Sequence, residues 1–399
     1  MLQRNPFGHK KRISRMLRLL ARIRPHTMPV TYRHNQVELF CDGAAFFQGL
    51  LAALRSAERM ILLEYYIIRS DQSGSALARA LIAAVQRGVR VLLVYDYIGC
   101  LDTPSAYFKN LSQQGIELIP FNVPSFKRGI HWFDRRNHRK MTIVDGKLAF
   151  LGGFNIADEY AGVSGGPDHF RDLGFSVSGS VMRELIGSFG DIWLMERDER
   201  PDLAAICGGL EGRRHPGQAN VAIVSGGPHQ RSSPIRNTFR FNIASASEDL
   251  LVANPYFVPG PRIIRSLLRA AKRGVRVRLL MSSRSDVPLM RLVGRSSYGI
   301  LLRGGIEIFE MERELLHAKV MLVDGERVVI GSANLDQRSF HRNFEINCVI
   351  DSRTFGAQVR RELEADFSVA RRVTLDGHEA RGIMLRFLEW IANPFSWFL

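Results

Sequence analysis

The chain has 399 residues, 46% of them hydrophobic, and a formal net charge of +16. That length suits two domains or one duplicated domain, and the charge calls for an anionic partner without choosing between nucleic acid, acidic lipid and phosphorylated substrate. Cys41, Cys100, Cys207 and Cys348 are scattered with no CxxC pattern, which argues against a zinc site and for a reducing compartment, and no uncharged stretch approaches the roughly 18–20 residues of a transmembrane helix.

Residues 1–30 carry Arg4, Lys10, Lys11, Arg12, Arg15, Arg18, Arg22 and Arg24 with no acidic residue, and Ile13, Leu17, Leu20 and Ile23 fall among them at helical spacing. The pattern predicts an amphipathic basic arm suited to anionic lipid, and the stretch lacks the apolar core of a secretory signal. A first half follows over residues 31–200. VELFCDG from Val37 opens it as a strand, and SAERMILLEYYI from Ser56 runs a polar helix end into an apolar strand. LIAAVQRGVRVLLVYD from Leu81 predicts a helix, with Leu77, Ala80, Leu81 and Ala84 on one face, then a strand buried on both faces. LSQQGIELIPF from Leu111 repeats that form. Residues 121–137, FNVPSFKRGIHWFDRRN, read as a basic, aromatic substrate-contacting loop. HRKMTIVDG (residues 138–146) and LGGFN (residues 151–155) come next.

Residues 201–218, with Gly208, Gly209, Gly212, Pro216 and Gly217, read as a linker. Residues 219–373 then repeat the first half: VAIVSGG from Val221, SASEDLLVANPYF from Ser245, LLRAAKRGVRVRLLMS from Leu267 with an identical RGVRV, and LLRGGIEIFEM from Leu301. HAKVMLVDG (residues 317–325) and IGSAN (residues 330–334) repeat the motif itself. A period this long marks a duplicated domain, and alternating helix and strand predicts an α/β sheet covered by helices on both sides. The final stretch, residues 374–399, places Trp390, Phe395, Trp397 and Phe398 among Arg386, Glu389 and Pro394; that reads as an interfacial aromatic tail and not as a span.

Alternate residues of a strand share a face, so His138 points with Lys140 and His317 with Lys319. Two imidazoles and two ammonium groups brought together suit a phosphate, with the lysines stabilising charge that gathers in the transition state. Asn155, Asn334 and Ser332 supply neutral donors to the same oxygens. Nothing here asks for a metal or another cofactor, and no carboxylate cluster has magnesium-type spacing. One neutral imidazole can attack phosphorus while the other gives a proton to the leaving alcohol. Water as acceptor gives hydrolysis and an alcohol gives transfer, and the motifs do not decide between them. Asp145 and Asp324 complete the motifs and are grouped with the catalytic residues, although each also reads as the Asp of an Asp-Gly turn that fixes the motif backbone.

The doubled HxK(x)4D pattern with its following GG or GS and Asn resembles the HKD motifs of the phospholipase D superfamily. NHRKMTIVDGKLAFLGGFNIADEY and GSANLDQRSFHRNFEIN are most similar to bacterial cardiolipin synthases of the short type without transmembrane helices. The resemblance spans residues 37–373. It implies a duplicated α/β fold in two lobes, each with a mixed, mostly parallel sheet covered by helices, and an active site at the lobe interface. It also implies a phosphatidyl-histidine intermediate, with His138 as nucleophile and His317 as acid and base. An acidic residue after each motif would orient the opposite histidine: Asp172 for His317 and Glu345 for His138.

The function so implied is a phosphatidyltransferase that makes cardiolipin from phosphatidylglycerol and a second phosphatidyl donor or acceptor, peripheral on the cytoplasmic face of a bacterial membrane. A hydrolase or nuclease of the same superfamily is the alternative. The charge fits a nuclease, but small nucleases of the superfamily tend to carry one motif per chain and to dimerise. The expected partners are therefore phosphatidylglycerol and the membrane surface and not nucleic acid, and with both motifs in one chain no oligomer is required.

Overall fold

Two tight turns set the geometry. Asp145 and Gly146 have φ of 51° and 64°, and Asp324 and Gly325 of 49° and 71°, the paired left-handed positions of a type I′ turn that Asp-Gly accepts. Each turn folds its motif strand into a hairpin, Met141–Val144 on Leu148–Gly152 and Val320–Val323 on Arg327–Gly331. In the computed structural model, the described residues are 29–125, 131–163, 169–203, 217–228, 230, 232–285, 287–382, 389 and 391. The basic arm up to residue 28, residues 126–130 of the insertion, most of the linker (204–216) and nearly all of the aromatic tail beyond 382 lie outside them.

The sheet grows both ways from each hairpin. Met60–Tyr65 lies beside Met141–Val144, and Arg90–Asp96 and Glu117–Phe121 add to it in parallel. On the other side Gly174–Ser178 and Thr31–Phe40 continue antiparallel. The second half repeats this order with Asp249–Ala253, Arg276–Ser282 and Glu307–Met311 on its parallel side, and with Glu345–Asp351 and Ala219–Gly226 on the other. Thr31–Phe40 and Ala219–Gly226 then pair with each other, Tyr32 opposite Val221.

The result corrects the expectation of two lobes with mostly parallel sheets. One mixed 15-stranded sheet runs through both halves, and only the four pairings bridged by helical crossovers are parallel. The Asp-Gly hairpins make two of the antiparallel pairings, because a tight turn cannot join parallel strands. Packing explains why the halves stay fused. One face of the sheet carries a single apolar cluster drawn from both, including Phe175, Leu185 and Phe189 with Ile223, Ile346 and Leu363, under helices Met182–Arg197 and Arg353–Val369. Separating the halves would expose such side chains at about 1.5–3 kcal/mol each. On the opposite face each half keeps its own core, Phe46, Leu50, Leu77 and Leu81 in one and Phe239, Ile243, Ile263 and Leu267 in the other. The helix read from Leu77, Ala80, Leu81 and Ala84 is Gln72–Gln86, and it buries all four.

Candidate active site

Each motif histidine is held by the other half of the chain. The His138 N–H donates to Phe344 O at 2.9 Å and the Phe344 N–H to Arg136 O at 2.8 Å. Leu315–Leu316 pairs in parallel with Phe170–Arg171, and the His317 N–H donates to Arg171 O at 2.8 Å. These crossing segments run directly into the acidic residues. Glu345 follows Phe344, and its carboxylate oxygens lie 3.0 and 3.1 Å from His138 Nδ1. Asp172 follows Arg171, with Oδ2 2.5 Å from His317 Nδ1. A carboxylate that accepts from Nδ1–H leaves Nε2 of each ring as the base.

The surroundings of the two carboxylates explain the GG and GS of the motifs. A Cβ at Gly153 would come within 2.2 Å of Asp172 Oδ2, so only glycine admits the short Asp side chain there. In the second half Ser332 occupies the equivalent place. Against the expectation that it binds phosphate, its hydroxyl donates to Glu345 Oε2 and accepts from the Ile346 N–H. The donor is spent on the carboxylate. Asn343 Nδ2 adds a further bond to Glu345 at 3.3 Å, and the Leu173 N–H one to Asp172 at 2.7 Å.

Lys140 and Lys319 are 1% and 3% exposed. The Lys140 Nζ donates to His138 O at 2.7 Å, while Lys319 Nζ donates to His317 O and lies 3.0 Å from His317 Nδ1. Burial is the main reason both imidazoles are pushed down to about 4, with Glu345 or Asp172 pulling the other way and both lysines adding to the fall. Lys319 acts on His138 and Lys140 on His317, so the two motifs share one electrostatic site. Burial also raises the two carboxyls, but His317 and Lys319 hold Asp172, and His138 and Lys140 hold Glu345, below the ordinary carboxylate range. Near neutral pH the site therefore holds neutral imidazoles backed by carboxylates.

Of the two asparagines read as phosphate donors, Asn155 Oδ1 accepts from the Ile67 N–H at 3.2 Å. Asn334 is 5% exposed; its Oδ1, an acceptor, has no partner among the described residues, and only its Nδ2 can donate to a phosphate oxygen. Sequence reasoning missed the aromatic walls. The Tyr66 ring sits 5.0 Å from His138, and Tyr160 and Phe170 each sit 5.2 Å from His317. It also missed a buried polar network under the first motif, in which Glu64 binds Asn137 at 2.7 Å and faces Arg139 at 3.7 Å, while Asp96 pairs with Arg136 at 3.1 Å. A carboxylate inside the otherwise apolar MILLEY strand was the available signal, since a buried charge needs a partner.

Asp145 and Asp324 bind backbone. Asp145 accepts from the N–H groups of Glu58, Arg59 and Met60 at 2.8–3.0 Å, and Asp324 from those of Ser247, Glu248 and Asp249. Each ties its hairpin to the start of the neighbouring strand, as the turn reading anticipates. Asp145→Ala is therefore expected to lower stability by about 2–3 kcal/mol in urea unfolding, since it orphans three donors and a left-handed position. Asp145→Asn, which tolerates that backbone, should lose less. Full stability with abolished turnover would instead make Asp145 a catalytic residue.

The chain matches a family model described as cardiolipin synthase, PLD-like domain, over residues 50–164 and 240–367. It is 35% identical over 387 residues to a cardiolipin synthase of Geobacillus kaustophilus, covering 96% of this chain and 75% of that one. It is 33% identical over 368 residues to cardiolipin synthase A of Pseudomonas entomophila, covering 90% and 75%. Among solved structures, phosphatidylserine synthase of Haemophilus influenzae superposes with a TM-score of 0.70 over 90% of this chain and 93% of that one at 14% identity, a likeness of fold.

Proposed function

The chain belongs to the cardiolipin synthase family of phospholipase D-like enzymes, and from that premise we propose that it joins two phosphatidylglycerols into cardiolipin through a phosphatidyl-histidine. The observation that carries the proposal is the crossed pairing of His138 with Glu345 and His317 with Asp172 around two buried lysines. His317, backed by Asp172, takes up a proton on Nε2 as the phosphodiester anion binds. His138 Nε2 then attacks phosphorus, and the bond from phosphorus to the glycerol oxygen breaks as His317 supplies that proton. His317 then takes the proton of a hydroxyl on a second phosphatidylglycerol. That oxygen attacks phosphorus and frees His138. One cardiolipin and one glycerol leave, and no proton is gained or lost overall. Lys140, Lys319, Asn155 and Asn334 are proposed to hold the non-bridging oxygens, while Glu345, Asp172 and Ser332 orient the rings.

The membrane surface is the natural place for this substrate. No helix among the described residues is long and apolar enough to cross a membrane. The sequences of the basic arm and the aromatic tail support interfacial attachment at both ends. Incubation with phosphatidylglycerol vesicles should give cardiolipin and glycerol. Cleavage of single-stranded DNA without lipid transfer would replace this reading with the nuclease one, and release of phosphatidic acid alone with the hydrolase one.

The lysines also set an expectation for metal. They supply the positive charge that two-metal phosphodiesterases draw from cations, so transfer should survive dialysis against EDTA. Complete loss, restored by stoichiometric magnesium or zinc, would overturn the mechanism. Stimulation by millimolar cations would not, because cations also screen anionic lipid.

A further inference from the structure

Helices Pro234–Ser245 and Gly260–Lys272 lie side by side on the outer face of the second half. Arg273 locks them together by donating to the carbonyls of Ile243, Ala244 and Ala246. Arg262, Arg265, Arg269 and Lys272 recur at three- and four-residue spacing on one exposed stripe, and Arg236 and Arg240 stand on the neighbouring helix. The two helices contain no acidic residue, and none of these six cations enters an ion pair among the described residues. They repel one another: burial is the main cause that depresses Arg236, and Arg262 and Arg240 add to the fall. Isolated like charges left unpaired on one face weaken a fold slightly, so an anion that binds them relieves that cost.

The duplication supplies an internal control. The equivalent helices of the first half, Gly43–Arg55 and Gln72–Gln86, carry only Arg55 and Arg79 between them. The fold therefore does not need the basic stripe. The same comparison isolates an aromatic. Asp145 binds residues 58–60 where Asp324 binds 247–249, and that offset sets exposed Ala52 against Phe241, which is 57% exposed.

The stripe connects with the active site. Arg236 Nη1 lies 2.8 Å from His341 Nε2, at the end of the short helix Gln337–His341 that follows Asn334. On its far side Arg342 pairs with Asp134 at 2.6 Å, beside Phe133, which is 62% exposed. Cations flanked by exposed Phe241 and Phe133 fit a surface that is anionic in its outer layer and apolar beneath, since arginine meets headgroup phosphate while phenylalanine enters the acyl boundary.

We infer that this face of the second half is the surface on which the folded core docks against an anionic lipid bilayer, with the catalytic histidines opening beside it. The inference rests on the lipid-directed reading of the site. The test uses the full chain with R262Q, R265Q, R269Q and K272Q combined; glutamine keeps the helix propensity of the residues it replaces. Co-sedimentation with mixed phosphatidylglycerol and phosphatidylcholine vesicles at moderate salt should weaken by about tenfold or more, since each basic residue near such a surface adds to its attraction for anionic lipid. R262K, R265K and R269K combined should keep wild-type binding, and R55Q with R79Q should change nothing. Transfer on a soluble short-chain phosphatidylglycerol should be unaltered by the glutamine set. Unchanged vesicle affinity would overturn the inference, and so would loss of single-stranded DNA binding with vesicle binding intact. Should the wild-type chain transfer no phosphatidyl group while the glutamine set still loses vesicles, the catalytic reading fails and the docking surface stands.

Discussion

His138→Ala should lose transfer by about 10⁵-fold or more, and His317→Ala on phosphatidylglycerol should fall nearly as far. Combining the two should cost little beyond either alone, because groups that act as one unit are not additive. The physical reason is that each ring serves both half-reactions: one carries the phosphatidyl group while the other moves the proton. Glycerol is a poor leaving group and needs that proton; p-nitrophenolate does not. A p-nitrophenyl phosphodiester should therefore release a burst of nitrophenol from His317→Ala, with the protein left modified on His138, and none from His138→Ala. A trapped phosphohistidine on His317 would reverse the two roles. Transfer persisting in His138→Ala would end the covalent mechanism.

The chemistry was more legible in the sequence than the architecture was. His138 and Lys140, repeated as His317 and Lys319, carry a two-residue period and a turn signal, both local, and the acids at Asp172 and Glu345 stand close behind each motif. Which half each acid serves comes from the family resemblance and not from any local pattern in the residues. In the fold it depends on Phe344 bridging Asn137 and on Phe170–Arg171 pairing with Leu315–Leu316, contacts between residues far apart in the chain. The single sheet was hidden for the same reason. Thr31–Phe40 and Ala219–Gly226 each read as the first strand of a half, and nothing local in either marks the other as its neighbour. The sequence leaves Ser332 between two acceptors, a phosphate and a carboxylate, and the position of Glu345, set by the crossing segment, supplies the one its hydroxyl meets. Tyr66 and Phe170 carried no periodic signal, since they act from a strand end and a two-residue strand.

Glu345→Gln should slow transfer by about 10⁴-fold while the fold survives, and its pH profile should tell positioning from structure. Glu345 and its bond from Nδ1–H keep the base at Nε2 of His138. An amide in the same place can present its own N–H to Nδ1, which selects the wrong tautomer, and that change behind a catalytic imidazole costs about 10⁴. The sign of the pH effect follows from the charge. Burial pushes His138 down to about 4, and Glu345 opposes that fall. Removing the carboxylate lowers the imidazole further, so the acid limb of kcat/KM, which reports protonation of the nucleophile in the free enzyme, should move to lower pH as the plateau drops. Asp172→Asn should act on His317 in the same direction, but its deficit should largely vanish with a p-nitrophenyl leaving group, whereas that of Glu345→Gln should not. A carboxylate that merely held the backbone would lower the rate without moving the acid limb, and a Glu345→Gln enzyme with an unshifted limb would remove Glu345 from the proposed machinery.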